Sequence, residues 1–188
     1  MTEKDPLNKQ DEGASARRSW LLGAVAGAAA LSGASVAWWV YSPREVATSA
    51  EEALWLLDFA LPKEGPRLGM GSFRGRPLLL NFWATWCPPC VEALPLLSRF
   101  YSENAAKGWQ VLGLAVDQAT PVNRFLAKTP VTFPVALAGV PGIEIGKLLG
   151  NQRGGLPFTV VLGSDGKVAH RKIGQVSPED LGRWAALT

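Results

Sequence analysis

The pattern of apolar and charged residues begins with a long uncharged stretch near the N-terminus. Residues 1–19 are polar, mixed in charge and without apolar periodicity, which predicts a disordered cytoplasmic tail. Residues 20–41 carry no charged side chain, and as a helix they would span about 33 Å, enough for a hydrocarbon core of roughly 30 Å. Arg17 and Arg18 precede this stretch, and the positive-inside rule places such a flank in the cytoplasm. We therefore predict one transmembrane signal-anchor helix over residues 20–41.

Two alternatives to an uncleaved anchor stay open in this segment. Residues 35–37 (SVA) have the small side chains of a signal-peptide cleavage site. The arginine pair before Trp20 also resembles a twin-arginine export signal. Because the apolar run continues through Val40 and paired arginines are common in ordinary signal segments, we favour an uncleaved anchor.

The pattern changes twice more after the anchor. Residues 42–53 are polar and predict a linker, and residues 54–188 have the alternating apolar runs of one α/β domain. Residues 78–83 and 109–116 are continuous apolar runs, typical of strands covered on both faces of a sheet. Further strands are predicted over residues 54–61, 67–70, 133–137, 158–162 and 168–173, and helices over residues 88–106, 121–128, 144–149 and 178–186.

Composition limits the classes of partner. The chain has 188 residues, a net charge of +3 and 19% charged residues. The basic residues after residue 41 are scattered and no aromatic stripe is interleaved with them, which argues against a nucleic-acid partner.

The chain has two cysteines, Cys87 and Cys90, only three positions apart. A structural disulfide normally closes a longer loop, and a zinc site would need two more ligands where the sequence offers a single histidine, His170, which we place on the surface. The pair stands between the apolar run 78–83 and an apolar-periodic pattern beginning at Val91, at the first turn of a predicted helix. A helix N-terminus favours negative charge, hence a thiolate. The pattern predicts thiol–disulfide exchange and no metal.

The segment FWATWCPPC (residues 82–90) resembles the active-site segment of membrane-anchored, thioredoxin-like thiol–disulfide oxidoreductases of the TlpA/ResA type. The FRG-P lead-in at residues 73–77, the Leu156-Pro157 step and the Ser-Asp-Gly-Lys turn at residues 164–167 are similar to the same family. The resemblance implies a thioredoxin fold, a central mixed sheet flanked by helices. It also implies an N-terminal β-hairpin extension and a central insertion, preceded by one transmembrane helix.

The two cysteines receive different roles. Cys87, at the exposed start of the helix, is predicted to attack a substrate disulfide, and Cys90, one turn further in, to resolve the mixed disulfide. Pro88 and Pro89 remove two amide donors and rigidify this turn. The redox-active disulfide Cys87–Cys90 is the only redox group that the prediction requires, without another cofactor.

The proton route to Cys90 has two interpretations. The TlpA/ResA pattern usually has a Glu three residues after the second cysteine, and this chain has Ala93 there, with Glu92 one place earlier. Glu92 is therefore either a proton relay or, as we favour, a solvent-facing acid in the first helical turn.

The Leu156-Pro157 step is predicted to form the opposite wall of the site. Pro157 resembles the cis-proline of the thioredoxin fold, and a cis bond would expose the backbone of Leu156 for pairing with an extended substrate. Trp86 and Pro88, together with the Leu156-Pro157 step, are predicted to bind substrate. Trp86 and Phe158 are expected to flank the site, and Trp83 to pack in the core.

The combined prediction is a thiol–disulfide oxidoreductase in a bacterial-type inner membrane, with its catalytic domain in the periplasm. The resemblance implies a reductase that receives electrons from a membrane thiol transporter of the DsbD/CcdA kind and acts on disulfides of exported proteins such as apocytochrome c. A thiol oxidase or isomerase, and a non-catalytic escort module with the same fold, are the alternatives.

Overall fold

A five-stranded mixed sheet lies at the centre of the computed structural model, which describes residues 49–186. The strands in this range are β1 (Asp58–Phe59), β2 (Leu68–Gly69), β3 (Leu78–Trp83), β4 (Gln110–Ala115), β5 (Val135–Leu137), β6 (Phe158–Leu162) and β7 (Val168–Ile173). The α-helices in the same range are α1 (Ala50–Trp55), α2 (Pro88–Asn104), α3 (Ala119–Lys128), α4 (Pro141–Leu148) and α5 (Pro178–Ala185). β1 and β2 pair as a separate antiparallel hairpin, and the sheet order is β5-β4-β3-β6-β7. This is a thioredoxin-like fold with the predicted N-terminal hairpin.

The central strand β3 is buried along its whole length. Because side chains alternate across a strand, Leu78, Leu80 and Phe82 join one core cluster while Leu79 and Trp83 join the other. Both faces of the sheet are therefore covered, which explains why β3 is a continuous apolar run instead of an alternating one. The prediction that Trp83 packs in the core is confirmed.

Strand register brings four loops to one edge of the sheet. Trp83 pairs with Ala115 at the end of the parallel strand β4. Phe82 pairs with Phe158 at the start of the antiparallel strand β6, and Phe158 pairs with Ile173 at the end of β7. This edge, which we call the β3 carboxyl edge, consists of the segments that follow or precede these strand ends: residues 84–87, 116–118, 155–157 and 174.

The N-terminal part of the domain differs from the prediction. We predicted a linker over residues 42–53 and a strand over residues 54–61, whereas a helix, α1, spans Ala50–Trp55 and β1 has only two residues.

Local capping and one long-range hydrogen bond explain helix α1. The Ser49 side chain accepts a hydrogen bond from the Glu52 N–H at 3.1 Å, which satisfies one of the free amides at the helix start. Trp55 is buried, and its indole N–H donates to the Gly166 carbonyl at 2.9 Å. The helix is therefore stabilised by a turn 111 residues away, which a local pattern does not reveal.

The other predicted elements are present, with shifts at their ends. β6 and β7 have the predicted bounds, and α2 contains Pro95, as predicted. A proline at its first turn starts α4 at Pro141, three residues earlier than predicted. β5 and α4 lie between α3 and β6.

A buried carboxylate connects β7 to α5. Asp180 accepts hydrogen bonds from Lys172 Nζ and from Arg183 Nη2, both at 2.6 Å, and forms a capping box with Ser177. The Lys172 ammonium is the main reason that the pKa of Asp180 is lowered to about 2, although burial opposes this shift. His170, also on β7, is exposed, as predicted.

The predicted tail (residues 1–19), the predicted membrane span (residues 20–41) and the start of the predicted linker lie outside the described residues. Within residues 49–186, none of the helices combines the length and apolar character needed to cross a bilayer.

Candidate active site

The two cysteines lie where β3 ends and α2 begins. The chain leaves β3 at Ala84, turns through Thr85 and Trp86, and starts α2 immediately after Cys87, which is the N-cap residue. The Cys87 N–H donates to the Ala84 carbonyl at 3.3 Å, which closes this turn. A buried strand thus delivers the cysteine pair to the first turn of a helix, as the sequence predicted.

Cys87 and Cys90 form a disulfide, with their Cα atoms 5.3 Å apart. Cys87 retains 5% of its surface exposed and Cys90 none. The predicted order, in which Cys87 meets the substrate and Cys90 attacks from inside, stays a prediction. Cys87 is nevertheless more covered than the predicted exposed position, because it packs in the same core cluster as Cys90 and Ala93.

The first turn of α2 offers few amides to a Cys87 thiolate. Pro88 and Pro89 are exposed and have no N–H. The next two amides, those of Cys90 and Val91, donate to the Cys87 carbonyl at 3.0 and 3.1 Å. The first-turn amides are thus missing or already bonded, so the helix dipole is the main contribution that α2 makes to thiolate stability.

The Leu156-Pro157 peptide bond is cis, as predicted. Pro157 is buried and Leu156 is half-buried at the β3 carboxyl edge. The Pro157 carbonyl accepts a hydrogen bond from the Gly174 N–H at 2.8 Å, which joins this loop to the end of β7. The predicted roles of both residues in substrate binding stay predictions.

The two aromatic residues expected beside the site, Trp86 and Phe158, differ in their exposure to solvent. Trp86 is 64% exposed in the turn before Cys87, a position from which it is available to a partner. Phe158 is fully buried and packs against Phe82 with ring centroids 5.7 Å apart. The expectation that Phe158 flanks the site is wrong, because the first residue of β6 faces the core cluster on the other side of the sheet from the cysteines.

Glu92 points away from the buried thiol. Its side chain is exposed, whereas the next residue, Ala93, is buried in the cluster that contains Cys90. This arrangement favours the interpretation of Glu92 as a surface acid.

Two polar residues, Asn81 in β3 and Asp117 just after β4, escaped the sequence interpretation. Asn81 is 1% exposed within β3, and its amide donates to the Thr159 hydroxyl at 2.9 Å. Among the described residues its Oδ1 atom has no hydrogen-bond partner. Asp117, just after β4, accepts hydrogen bonds from Thr85. The sequence did contain signals for both residues. Asn81 is a polar residue inside an apolar strand, and Asp117 is an acid at the carboxyl end of the neighbouring parallel strand.

Acidic, histidine and cysteine side chains do not gather into a metal site in the part of the chain that the structure describes. Across residues 49–186, no three or more of them are grouped so that they could hold a metal ion.

A model of the Redoxin family matches residues 52–184, a range that begins within α1 and ends within α5. The chain belongs to the Redoxin family. A thiol-disulfide oxidoreductase ResA from Bacillus cereus is 32% identical over 121 residues. The alignment covers 63% of this chain and 66% of that protein, so the chain matches just under two thirds of the relative's length. The resemblance to the TlpA/ResA type is confirmed.

Solved structures agree with this assignment. A putative thiol:disulfide interchange protein DsbE from Chlorobium tepidum is 30% identical with a TM-score of 0.58, covering 68% of this chain and 88% of that one. A thioredoxin-related protein from Neisseria meningitidis is also 30% identical, with a TM-score of 0.62, and covers 69% of this chain and 96% of that one. Similarity at this level extends across the thioredoxin-like domain.

Proposed function

We propose that this protein is a thiol–disulfide oxidoreductase. The observation that carries the proposal is the Cys87–Cys90 disulfide at the start of α2, in which Cys87 is 5% exposed and Cys90 is fully buried. The cis Leu156-Pro157 step lies at the same edge of the sheet. Relatives in the Redoxin family that are named thiol-disulfide oxidoreductases support the assignment.

The chemistry uses two electrons and no further redox group. In the reduced protein the Cys87 thiolate attacks a substrate disulfide, one substrate sulfur leaves as a thiolate and takes up a proton, and a mixed disulfide forms. Cys90 then loses its proton and attacks Cys87, which releases the second substrate thiol. The substrate disulfide has gained two electrons and the Cys87–Cys90 disulfide has formed.

The predicted anchor and the family support a direction of electron transfer and a cellular location for the protein. The protein is a reductase held in the inner membrane by residues 20–41, with residues 49–186 on the periplasmic side. The oxidising periplasm requires that a reductase be recharged, so a membrane thiol transporter of the DsbD/CcdA kind donates electrons. Exported proteins with disulfides, apocytochrome c among them, are its substrates.

Substrate trapping tests the attack order. In Cys90→Ala the mixed disulfide through Cys87 cannot be resolved, so disulfide-linked partners should accumulate on the full chain expressed in bacterial cells. Cys87→Ala is the matched control, because it removes the attacking sulfur and leaves Cys90 enclosed. Partners on Cys90→Ala that disappear on reduction, and none on Cys87→Ala, would support the proposal. Equal trapping by both variants, or by neither, would contradict it.

A further inference from the structure

The turn that carries Cys87 is held by a carboxylate from the neighbouring strand. Asp117 Oδ2 accepts hydrogen bonds from the Thr85 backbone N–H at 3.0 Å and from the Thr85 hydroxyl at 2.5 Å. Asp117 Oδ1 accepts one from the Gln118 N–H at 2.7 Å. Both carboxylate oxygens are thus occupied, and both Thr85 donors converge on one of them.

The sheet places these two residues side by side. Trp83 pairs with Ala115 across β3 and β4, and the Val116 N–H donates to the Trp83 carbonyl at 2.8 Å. Thr85 lies two residues after Trp83, the last residue of β3, and Asp117 lies two residues after Ala115, the last residue of β4. Asp117 and Thr85 are both half-buried, and hydrogen bonds to an ionised acceptor are stronger there than in open water.

We propose that Asp117 is a positioning residue that sets the reactivity of the Cys87–Cys90 pair through the Thr85 turn. Thr85 is two residues before Cys87, and the turn between them is closed by the hydrogen bond from Cys87 N–H to the Ala84 carbonyl at 3.3 Å. The carboxylate therefore fixes the chain that enters the helix at its N-cap. The inference deepens the proposed function and rests on it.

The expected effect is on the equilibrium between dithiol and disulfide. When the reduced pair meets glutathione disulfide, Cys87 and Cys90 lose two electrons and two protons, their S–S bond forms, and two glutathione thiols are produced. Formation of the S–S bond is favoured when one thiol is held close to the other. A fixed turn raises the effective concentration of one thiol at the other. Releasing Thr85 should lower the equilibrium constant for closing the Cys87–Cys90 bond.

The charge of Asp117 acts in the opposite sense to the helix dipole. A nearby carboxylate disfavours a thiolate, whereas the N-terminus of α2 favours it. Asp117→Asn removes the charge and keeps one carbonyl oxygen for Thr85, although it loses the acceptor for the Gln118 N–H, so it tests mainly the electrostatic part. Thr85→Ala removes one hydrogen bond without changing any charge, and Thr85→Ser restores the hydroxyl.

The experiment equilibrates the full chain with glutathione redox buffers and measures the oxidised fraction by thiol labelling and mass spectrometry. Asp117→Ala removes the acceptor of both Thr85 hydrogen bonds and should lower the closure constant by about tenfold or more, because one hydrogen bond to a charged group is worth roughly that factor. Thr85→Ala should lower it by a smaller factor, and Thr85→Ser should match the wild type. The pH profile of Cys87 alkylation should shift toward lower pH in Asp117→Asn.

The outcomes separate this proposal from the proposed function. Folded Asp117→Ala and Thr85→Ala proteins with closure constants within twofold of wild type would overturn the positioning role and leave the oxidoreductase function intact. Equal decreases of the closure constant in Thr85→Ala and Thr85→Ser would also overturn the positioning role, because the Thr85 hydroxyl would then have no effect on the equilibrium. If Asp117→Ala does not fold, the comparison of Thr85→Ala with Thr85→Ser decides. A wild-type protein that fails to exchange with glutathione would refute the proposed function itself.

Discussion

The carboxylate of Asp180 offers a prediction whose magnitude comes directly from the structure. Its side chain is 5% exposed and bound by Lys172, Arg183 and the Ser177 N–H. The folded protein lowers its pKa from 3.8 to about 2, with the Lys172 hydrogen bond as the largest cause. At about 1.4 kcal/mol per pKa unit, the ionised carboxylate stabilises the fold by about 2 kcal/mol.

The sign of the pH dependence follows from the lowered pKa. The stabilisation is complete above the ordinary pKa of 3.8 and is lost as the pH falls toward about 2, where the folded carboxylate takes up its proton. Asp180→Asn removes the charge at similar volume, so it should cost about 2 kcal/mol at pH 7 and should flatten this part of the acid transition.

Denaturant unfolding of the full chain in mild detergent measures this effect. Tryptophan fluorescence reports the unfolding transition at a series of pH values between 7 and 2. Glu144→Gln is the matched control, because the Glu144–Lys147 ion pair is exposed and should contribute less than about 1 kcal/mol. An Asp180→Asn protein as stable as Glu144→Gln at pH 7, with an unchanged acid transition, would refute the reasoning.

Three smaller changes test other parts of the description. Pro89→Ala restores an amide at the first turn of α2, so alkylation kinetics should show a lower pKa for the Cys87 thiol; an unchanged or higher value would contradict the donor argument. Trp55→Phe removes the indole hydrogen bond to the Gly166 carbonyl and should destabilise the fold by about 1–3 kcal/mol in thermal unfolding, whereas no change would show that α1 is not anchored there. Glu92→Gln should leave the pH profile of disulfide reduction unchanged, because Glu92 is exposed; a displaced profile would restore its proton-relay role.

The site's framework could be predicted because its signals are local in sequence. A continuous apolar run predicts a strand covered on both faces, and an apolar-periodic run after two prolines predicts a helix. These two patterns place Cys87 and Cys90 at the strand–helix junction, where the structure has them. The cis-proline depended on the family resemblance, since a Leu-Pro step is equally compatible with an edge strand.

The features that escaped prediction depend on contacts distant in sequence. Helix α1 is anchored through Trp55 to a turn 111 residues away, and its last two residues, Leu54 and Trp55, begin an apolar run that suits a strand equally well. Asp117 meets Thr85 only because β3 and β4 are parallel and in register, 32 residues apart. Phe158 was misplaced by its proximity to Pro157 in sequence, because its side chain faces the opposite core cluster.

The reduction potential of the Cys87–Cys90 pair tests the central claim most directly. The full-length protein is equilibrated with defined glutathione or dithiothreitol buffers, and the oxidised fraction is fitted to a two-electron couple. If the protein is a reductase of exported proteins, the Cys87–Cys90 couple should be reversible, with a reduction potential well below the roughly −120 mV of a strong periplasmic oxidant. A value near −120 mV would contradict the reductase assignment, and the absence of any reversible couple would contradict the oxidoreductase itself.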